Sequence, residues 1–266
     1  IDHVKIYDYA RTPAQIAYDY NRGEPIAHYK FDECEGNTVH DSSDNENHGT
    51  LTVTTSGGNT AGIGTCSVDN SAWGSGSEGK FGSSLNFDGD GDYVDIYSTG
   101  FNTNFSGDRG SISLWAKVSD AGVWSDDTVR RMLYFQVDPD NLFVFQKLGT
   151  NDIELRREAG TVRSGETISI TNTDWVMYTL TWDASSDEVK AYVNGLQRGA
   201  TDNSLGTWSG NLSPSTTVLG ASSTSGTNSW SGQIDDVRIY NYALSPAQVR
   251  KLYNGGAAIR FGEKYN

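Results

Sequence analysis

The chain has 266 residues, 36% of them hydrophobic, and a formal net charge of −14 from 34 acidic and 20 basic side chains. That surplus opposes phosphate-driven nucleic-acid binding and docking on an anionic membrane, and leaves divalent cations and neutral sugars as chemically suitable partners. No stretch reaches 18 apolar residues, so no membrane insertion is expected, and Ile1–Tyr9 alternates and carries charge, unlike a signal peptide.

With 30 Gly, 14 Tyr, 9 Phe and 7 Trp, the composition reads as an all-β protein with many turns. In chain order, Thr12–Tyr20 reads as a short helix, with Thr12 as cap and Pro13 at its first position. Strands are expected at Ile26–Phe31, Ser84–Phe87 and Tyr93–Ile96, the last two joined by the turn Asp88-Gly89-Asp90-Gly91-Asp92. Ser111–Val118 alternates, with Ile112, Leu114, Ala116 and Val118 on one face and Trp115 on the other, outside the core or beneath a covering loop. Met132–Val137 and Leu142–Gln146 flank the turn Asp138-Pro139-Asp140-Asn141. Further strands are expected at Ile153–Arg157, Thr167–Ile170, Trp175–Trp182, Glu188–Val193, Thr217–Gly220 and Gly232–Ile239. Asn194-Gly195 supplies a hairpin turn, and Ser245–Tyr253 a second capped helix. A dozen short strands without crossover helices make an antiparallel two-sheet sandwich or jelly roll.

The two cysteines, Cys34 and Cys66, flank a polar segment where a covalent clip would help a weak core. A disulfide and an extracellular, secreted or cell-surface location are expected, with two separate thiols as the alternative. Ile1-Asp2-His3-Val4-Lys5-Ile6-Tyr7-Asp8-Tyr9-Ala10 matches Ile234-Asp235-Asp236-Val237-Arg238-Ile239-Tyr240-Asn241-Tyr242-Ala243 at an offset of 233. The match continues through both capped helices to Tyr20-Asn21 and Tyr253-Asn254. One strand–helix element thus occurs twice around a single body of sheets. Residues 1–23 read as the strand and helix that end a preceding tandem repeat, 24–256 as one complete domain, and 257–266 as the start of a linker or next element. The first copy can dock on its own body, pair with a neighbouring copy of the repeat, or stay mobile.

Gly82-Ser83-Ser84-Leu85-Asn86-Phe87-Asp88-Gly89 with Asp92-Tyr93-Val94-Asp95-Ile96, the strand Ser111–Lys117, and Trp175–Trp182 followed by Val189–Gly195 resemble the laminin G-like, concanavalin A-like lectin/glucanase jelly rolls. Ser231-Gly232-Gln233-Ile234-Asp235-Asp236-Val237-Arg238-Ile239-Tyr240 is the most specific match, and Ala27–Leu51 resembles the domain's opening. The resemblance implies two face-to-face antiparallel sheets with the first and last strands adjacent. It also implies a structural calcium near that seam, at Asp32, Asp41, Asn47, Gly49 through its carbonyl, and Asp235 or Asp236. Asp41 and Asp44 can equally be turn residues bonding their own backbone. Asp88, Asp90 and Asp92 form a second acidic cluster, read rather as solvated turn carboxylates. The segment Thr52–Gly79 is longer than the usual link, and either decorates a binding rim or covers an edge.

Sugar recognition needs a planar aromatic with polar neighbours, and Trp73, Trp124 and Trp208 lie in expected loops that fit this. Trp175, Trp182 and Trp230 read as core, while Tyr134, Phe143, Phe145, Gln136, Gln146, Arg156 and Arg157 could line a sheet face. No Glu-x-Asp-x-x-Glu strand, zinc-like His spacing, Gly-x-Ser-x-Gly elbow or phosphate loop occurs, so no catalytic residue is assigned and no enzyme is expected. The expectation is an extracellular glycan-binding or adhesion module stabilised by calcium, its partner a neutral glycan or surface protein. The alternative is a structural repeat of a surface or fibrous array without a dedicated ligand.

Overall fold

Strand alternation needs two facing sheets to bury it, and these are present in the structure, a computed structural model that describes residues 4–21, 23–74 and 78–255. The expected linker at 257–266 lies outside the described residues, as do the first three positions of the repeat. Strands and helices are numbered in chain order, with α2 at Thr99–Asn104. One sheet runs β1 (Ala27–Tyr29), β15 (Ser231–Tyr240), β6 (Arg109–Val118), β11 (Val176–Asp183), β12 (Glu188–Val193) and β13 (Leu196–Asp202), with β4 (Leu85–Asp88) also paired to β15. The other runs β10 (Val162–Ser169), β9 (Asp152–Ala159), β8 (Asn141–Lys147), β7 (Arg130–Asp138), β14 (Thr217–Leu219), β5 (Tyr93–Asp95), β3 (Gly49–Thr52) and β2 (Thr38–Val39). Neighbouring strands are antiparallel, and first and last meet in the register Ala27↔Ile239. The fold is the all-β jelly-roll sandwich that the alternation predicts.

The core between the sheets holds Leu114, Phe135, Phe143, Phe145, Trp182 and Ile239. A second apolar layer lies on the outer face of the seven-stranded sheet, where α3 (Pro246–Tyr253) covers Trp115, Met177, Tyr192, Tyr240 and Tyr242. Trp115 is therefore buried on the side opposite the core: Tyr253 stacks on it at 5.5 Å, and Lys80 Nζ sits 4.2 Å above its ring. Asn194 and Gly195 both take positive φ (51° and 77°), making the tight β12–β13 turn. After β3, the chain up to Gly74 covers the free edge of β4, where Asn86 N donates to Ala72 O (2.7 Å). Trp73 enters the main core and donates from Nε1 to Gly36 O (2.9 Å), and the Cys34–Cys66 disulfide ties the segment to the opening loop.

Strand β10 begins five residues before the expected Thr167, because its pairing with β9 starts at Val162↔Ala159. The short β2 and β3 and the polar, mostly exposed β13 carry too little alternation to be read from sequence. The N-terminal copy keeps its helix, α1 (Pro13–Tyr20), but residues 4–10 form no strand. Helix α1 meets the body through Tyr18, whose ring lies 5.5 Å from Tyr242, and through Asn21 Nδ2, which donates to Asn241 Oδ1 (2.5 Å).

Candidate binding surface

The outward face of the eight-stranded sheet gathers polar side chains on strands β7 to β10. On β9, Ile153, Leu155, Arg157 and Ala159 point inward and are buried, so Glu154, Arg156 and Glu158 point outward. Register puts Gln146 of β8 and Thr167 of β10 on either side of Glu154, and Arg163 opposite Glu158. A continuous network results. Arg131 Nε donates to Gln146 Oε1 (3.1 Å) and Gln146 Nε2 to Glu154 Oε2 (2.6 Å). Arg156 lies between Glu154 and Glu158 at 3.5 and 3.6 Å, and Arg163 reaches Glu158 at 3.3 Å. Tyr134 sits at the edge of this network with Val144 and Val218, the Arg131 guanidinium 4.0 Å from its ring centre.

Gly165 faces Arg156 across the β9–β10 pair and leaves a depression of about 330 Å³, lined by Glu154, Arg156, Arg163 and Thr167 among others. Its φ of +135° and the Leu155 carbonyl oxygen, 2.0 Å from where a Cβ would stand, restrict the position to glycine. Arg156 Nε is buried and makes no hydrogen bond among the described residues, its ion-pair neighbour being Glu158 Oε2 at 3.6 Å. Burial lowers the Arg131 pKa, and burial with Asp140 and Glu154 nearby raises that of Glu158. The surface therefore offers fixed donors and acceptors, suited to hydroxyl groups.

The six residues expected around calcium fall into two hydrogen-bonded sets. Asp41 Oδ1 accepts the N–H groups of His28 and Ser43 (both 2.8 Å), and Oδ2 accepts Ser43 Oγ (2.7 Å) and Asn47 N (2.9 Å). Asn47 donates to Ile26 O and accepts from Ser98, while Gly49 pairs with Val39 in β3. Asp41 thus acts as the turn residue. Asp32, Asp235 and Asp236 instead line a smaller pocket of about 140 Å³ with His28, Lys30, Phe81 and Arg238. Burial, and the carboxylate of Asp236 beside it, push Asp235 up to about 7. Its Oδ2 accepts Phe81 N (2.9 Å), and its Oδ1 is unpaired among the described residues. Burial would raise Asp236 too, but His28 Nε2 at 2.7 Å and Arg238 outweigh it and hold that carboxyl low. No cluster of three or more metal-ligating side chains occurs among the described residues. As placed, the six-residue set does not fit one ion, because the Asp41 oxygens are already filled by four donors.

The tryptophans chosen as sugar platforms are packed instead. Trp73 and Trp124 are 1% and 6% exposed, and Trp124 Nε1 donates to Asn172 O (3.0 Å). Trp208 lies against Phe143 at 5.1 Å and under Arg157. A loop tryptophan beside a sandwich gains more by closing the core than by facing water. Phe143, Phe145 and Arg157 face inward; Arg157 donates to the carbonyls of Gly107 and Leu205. Of the sheet-face candidates, Tyr134, Gln146 and Arg156 lie on the outward network. Arg131, Glu154, Glu158, Arg163 and Gly165 complete that network without having been among the sequence candidates, although the Glu-x-Arg-x-Glu alternation of β9 carries the signal. Of the cluster Asp88–Asp92, Asp90 is exposed and Asp88 half-buried, as solvated turn carboxylates would be, whereas Asp92 is fully buried and accepts from Thr54 N (2.9 Å) and Asn59 Nδ2 (2.5 Å), anchoring the segment that follows β3.

The family described as the concanavalin A-like lectin/glucanases superfamily matches residues 87–250. A comparison with curated proteins found no match. Among solved structures, the chain is similar to domain 4 of AbnA, an extracellular GH43 arabinanase from Geobacillus stearothermophilus, in complex with arabinotriose. The identity is 23%, the match covers 86% of this chain and 98% of that one, and the TM-score is 0.56. It is also similar to the ligand-binding domain of botulinum neurotoxin serotype D in complex with N-acetylneuraminic acid (12% identity, 90% of this chain and 52% of that one, TM-score 0.56). A third is the binding domain of botulinum neurotoxin DC in complex with rat synaptotagmin II (14% identity, 88% and 52%, TM-score 0.57). The chain spans about half of the two neurotoxin chains, and at these identities the likeness establishes the fold.

Proposed function

This chain belongs to the concanavalin A-like lectin/glucanases superfamily, and from that premise we propose that it is an extracellular, non-catalytic module that binds a neutral glycan on the outward face of its eight-stranded sheet. The observation that carries the reading is the connected network of Arg131, Gln146, Glu154, Arg156, Glu158 and Arg163 around the Gly165 depression. Side chains that already hold one another lose little entropy on binding, so hydroxyls can exchange for water at low cost. The arabinotriose complex of the Geobacillus domain makes a pentose oligosaccharide the first ligand to test. The disulfide and the likeness to a domain of an extracellular enzyme support the location.

The test is calorimetric titration with arabinotriose and a panel of neutral oligosaccharides, run in calcium and again in chelator. Binding is expected, with a loss of about tenfold or more in Arg156→Ala, the scale of one charged hydrogen bond. Because the Arg156 side chain is 13% exposed and pairs with Glu154 and Glu158, the variant is titrated at a temperature well below its own measured thermal midpoint, where it is folded. No binding across the panel, or binding unchanged in Arg156→Ala, refutes the assignment. Calcium is proposed only for the Asp32–Asp235 pocket, where it would complete the free Asp235 oxygen; a thermal midpoint identical in calcium and chelator removes it. The second reading, a structural repeat, is favoured by a different observation, the exposed N-terminal copy of β15.

A further inference from the structure

The same strand–helix sequence occurs twice in this chain and meets two different fates. In the C-terminal copy, Val237 and Ile239 are 0% exposed in the sheet, and Tyr240, Tyr242 and Val249 are buried beneath or within α3. In the N-terminal copy their counterparts Val4 and Ile6 are 71% and 93% exposed, and Tyr7, Tyr9 and Ile16 also face solvent. The helices themselves agree closely. Thr12 and Gln15 form a reciprocal capping box, as do Ser245 and Gln248, each with proline at the first turn. Sequence therefore builds the same element twice, and only one copy has a sheet to enter.

The differences between the copies are compensated within each. Leu244 and Leu252 belong to the apolar layer under α3. Their counterparts are Arg11 and Asp19, which form an ion pair at 2.6 Å. Lys5 and Tyr7 also reach Asp19, at 3.2 and 3.0 Å, so the segment 5–11 folds back on its helix as a unit. Tyr20, 85% exposed, corresponds to Tyr253, which stacks on Trp115. A segment with the alternation of a strand, two exposed aliphatics and two exposed tyrosines, which forms no strand where it lies, is a sheet edge without a sheet.

We propose that residues 4–20 are the closing strand and terminal helix of another copy of this fold. The partner they fit is a sandwich whose slot between the equivalents of β1 and β6 is open. There Val4 and Ile6 occupy the places of Val237 and Ile239 in the core, and Tyr20 lies on that copy's counterpart of Trp115. Successive copies then meet without a spacer: α1 closes the first sandwich while Tyr18 and Asn21 rest on Tyr242 and Asn241 of the second. This inference does not depend on the glycan reading.

The offset defines the experiment. A fusion of residues 24–233 followed by the whole chain 1–266 supplies one sandwich body whose only closing strand is the N-terminal copy. A control fusion carries residues 234–254 in place of 1–21. The expected result is an unfolding enthalpy about twice that of the single chain in both fusions, with Lys5 and Arg11 protected from trypsin in the first fusion and cleaved in the single chain. Ile6→Asp should unfold one sandwich of the first fusion and leave the thermal midpoint of the single chain unmoved. A control that gives two folded sandwiches beside a test fusion that gives one overturns the proposal. So does a single chain that loses several degrees through Ile6→Asp, since the segment would then belong to its own body.

Discussion

Burial pushes the Asp92 carboxyl up to about 6 from its ordinary 3.8, even though Thr54 and Asn59 donate to it. Between those values the native state keeps a proton that the unfolded chain has released. Stability therefore falls as pH rises through this window, and the full cost, about 3 kcal/mol, is in place above pH about 6. Asp92→Asn removes the titration. The stability of the variant relative to the parent should rise by about 2 kcal/mol between pH 4 and 7, read from urea unfolding at each pH; a flat difference contradicts the assignment. The disulfide makes a second residue-scale prediction. Cys34 and Cys66 are 32 positions apart, and opening that loop in the unfolded state costs about 3–4 kcal/mol on chain entropy. Replacing both by serine should lower the thermal midpoint by about 10 °C, and reduction of the parent should reproduce the loss.

Helices α1 and α3 share a cap but not a burden. Val249 of α3 is buried in the layer over Trp115, whereas Ile16 of α1 faces solvent. Ser245→Ala should lower global stability by about 1 kcal/mol, while Thr12→Ala should leave the midpoint of the body unchanged. Equal effects from the two would show that α1 is part of the cooperative unit. Both helices were legible in the sequence because Thr-Pro and Ser-Pro starts are local signals. Most strands were legible for a related reason: alternation on β6, β9 and β15 is written in each strand alone. The outward polar network was not. Whether Arg156 or Arg157 points outward depends on which side of β9 meets the other sheet, a fact fixed by residues far away in sequence. The loop tryptophans misled for the same reason, since their fate is decided by an edge that only the folded sandwich possesses. The residues of the calcium expectation divide between two places, Asp41 held by four nearby donors and Asp235 in a separate pocket, which residue spacing does not reveal.

At the scale of the whole molecule, the pairing of β1 with β15 has a mechanical consequence. The chain enters at Ala27 and leaves at Ile239, opposite each other at one end of an antiparallel pair. Tension between the two ends acts along the hydrogen bonds of that seam, which then open one after another instead of resisting together. Peeling from the N-terminal side halts at Cys34, because the disulfide shields residues 34–66 from the load. Force spectroscopy on the chain should record a low-force opening event, and reduction should lengthen the fully stretched chain by about 110 Å, the reach of that loop. Linked copies would form a tether that yields at its seams under modest strain and carries a covalent stop in each link.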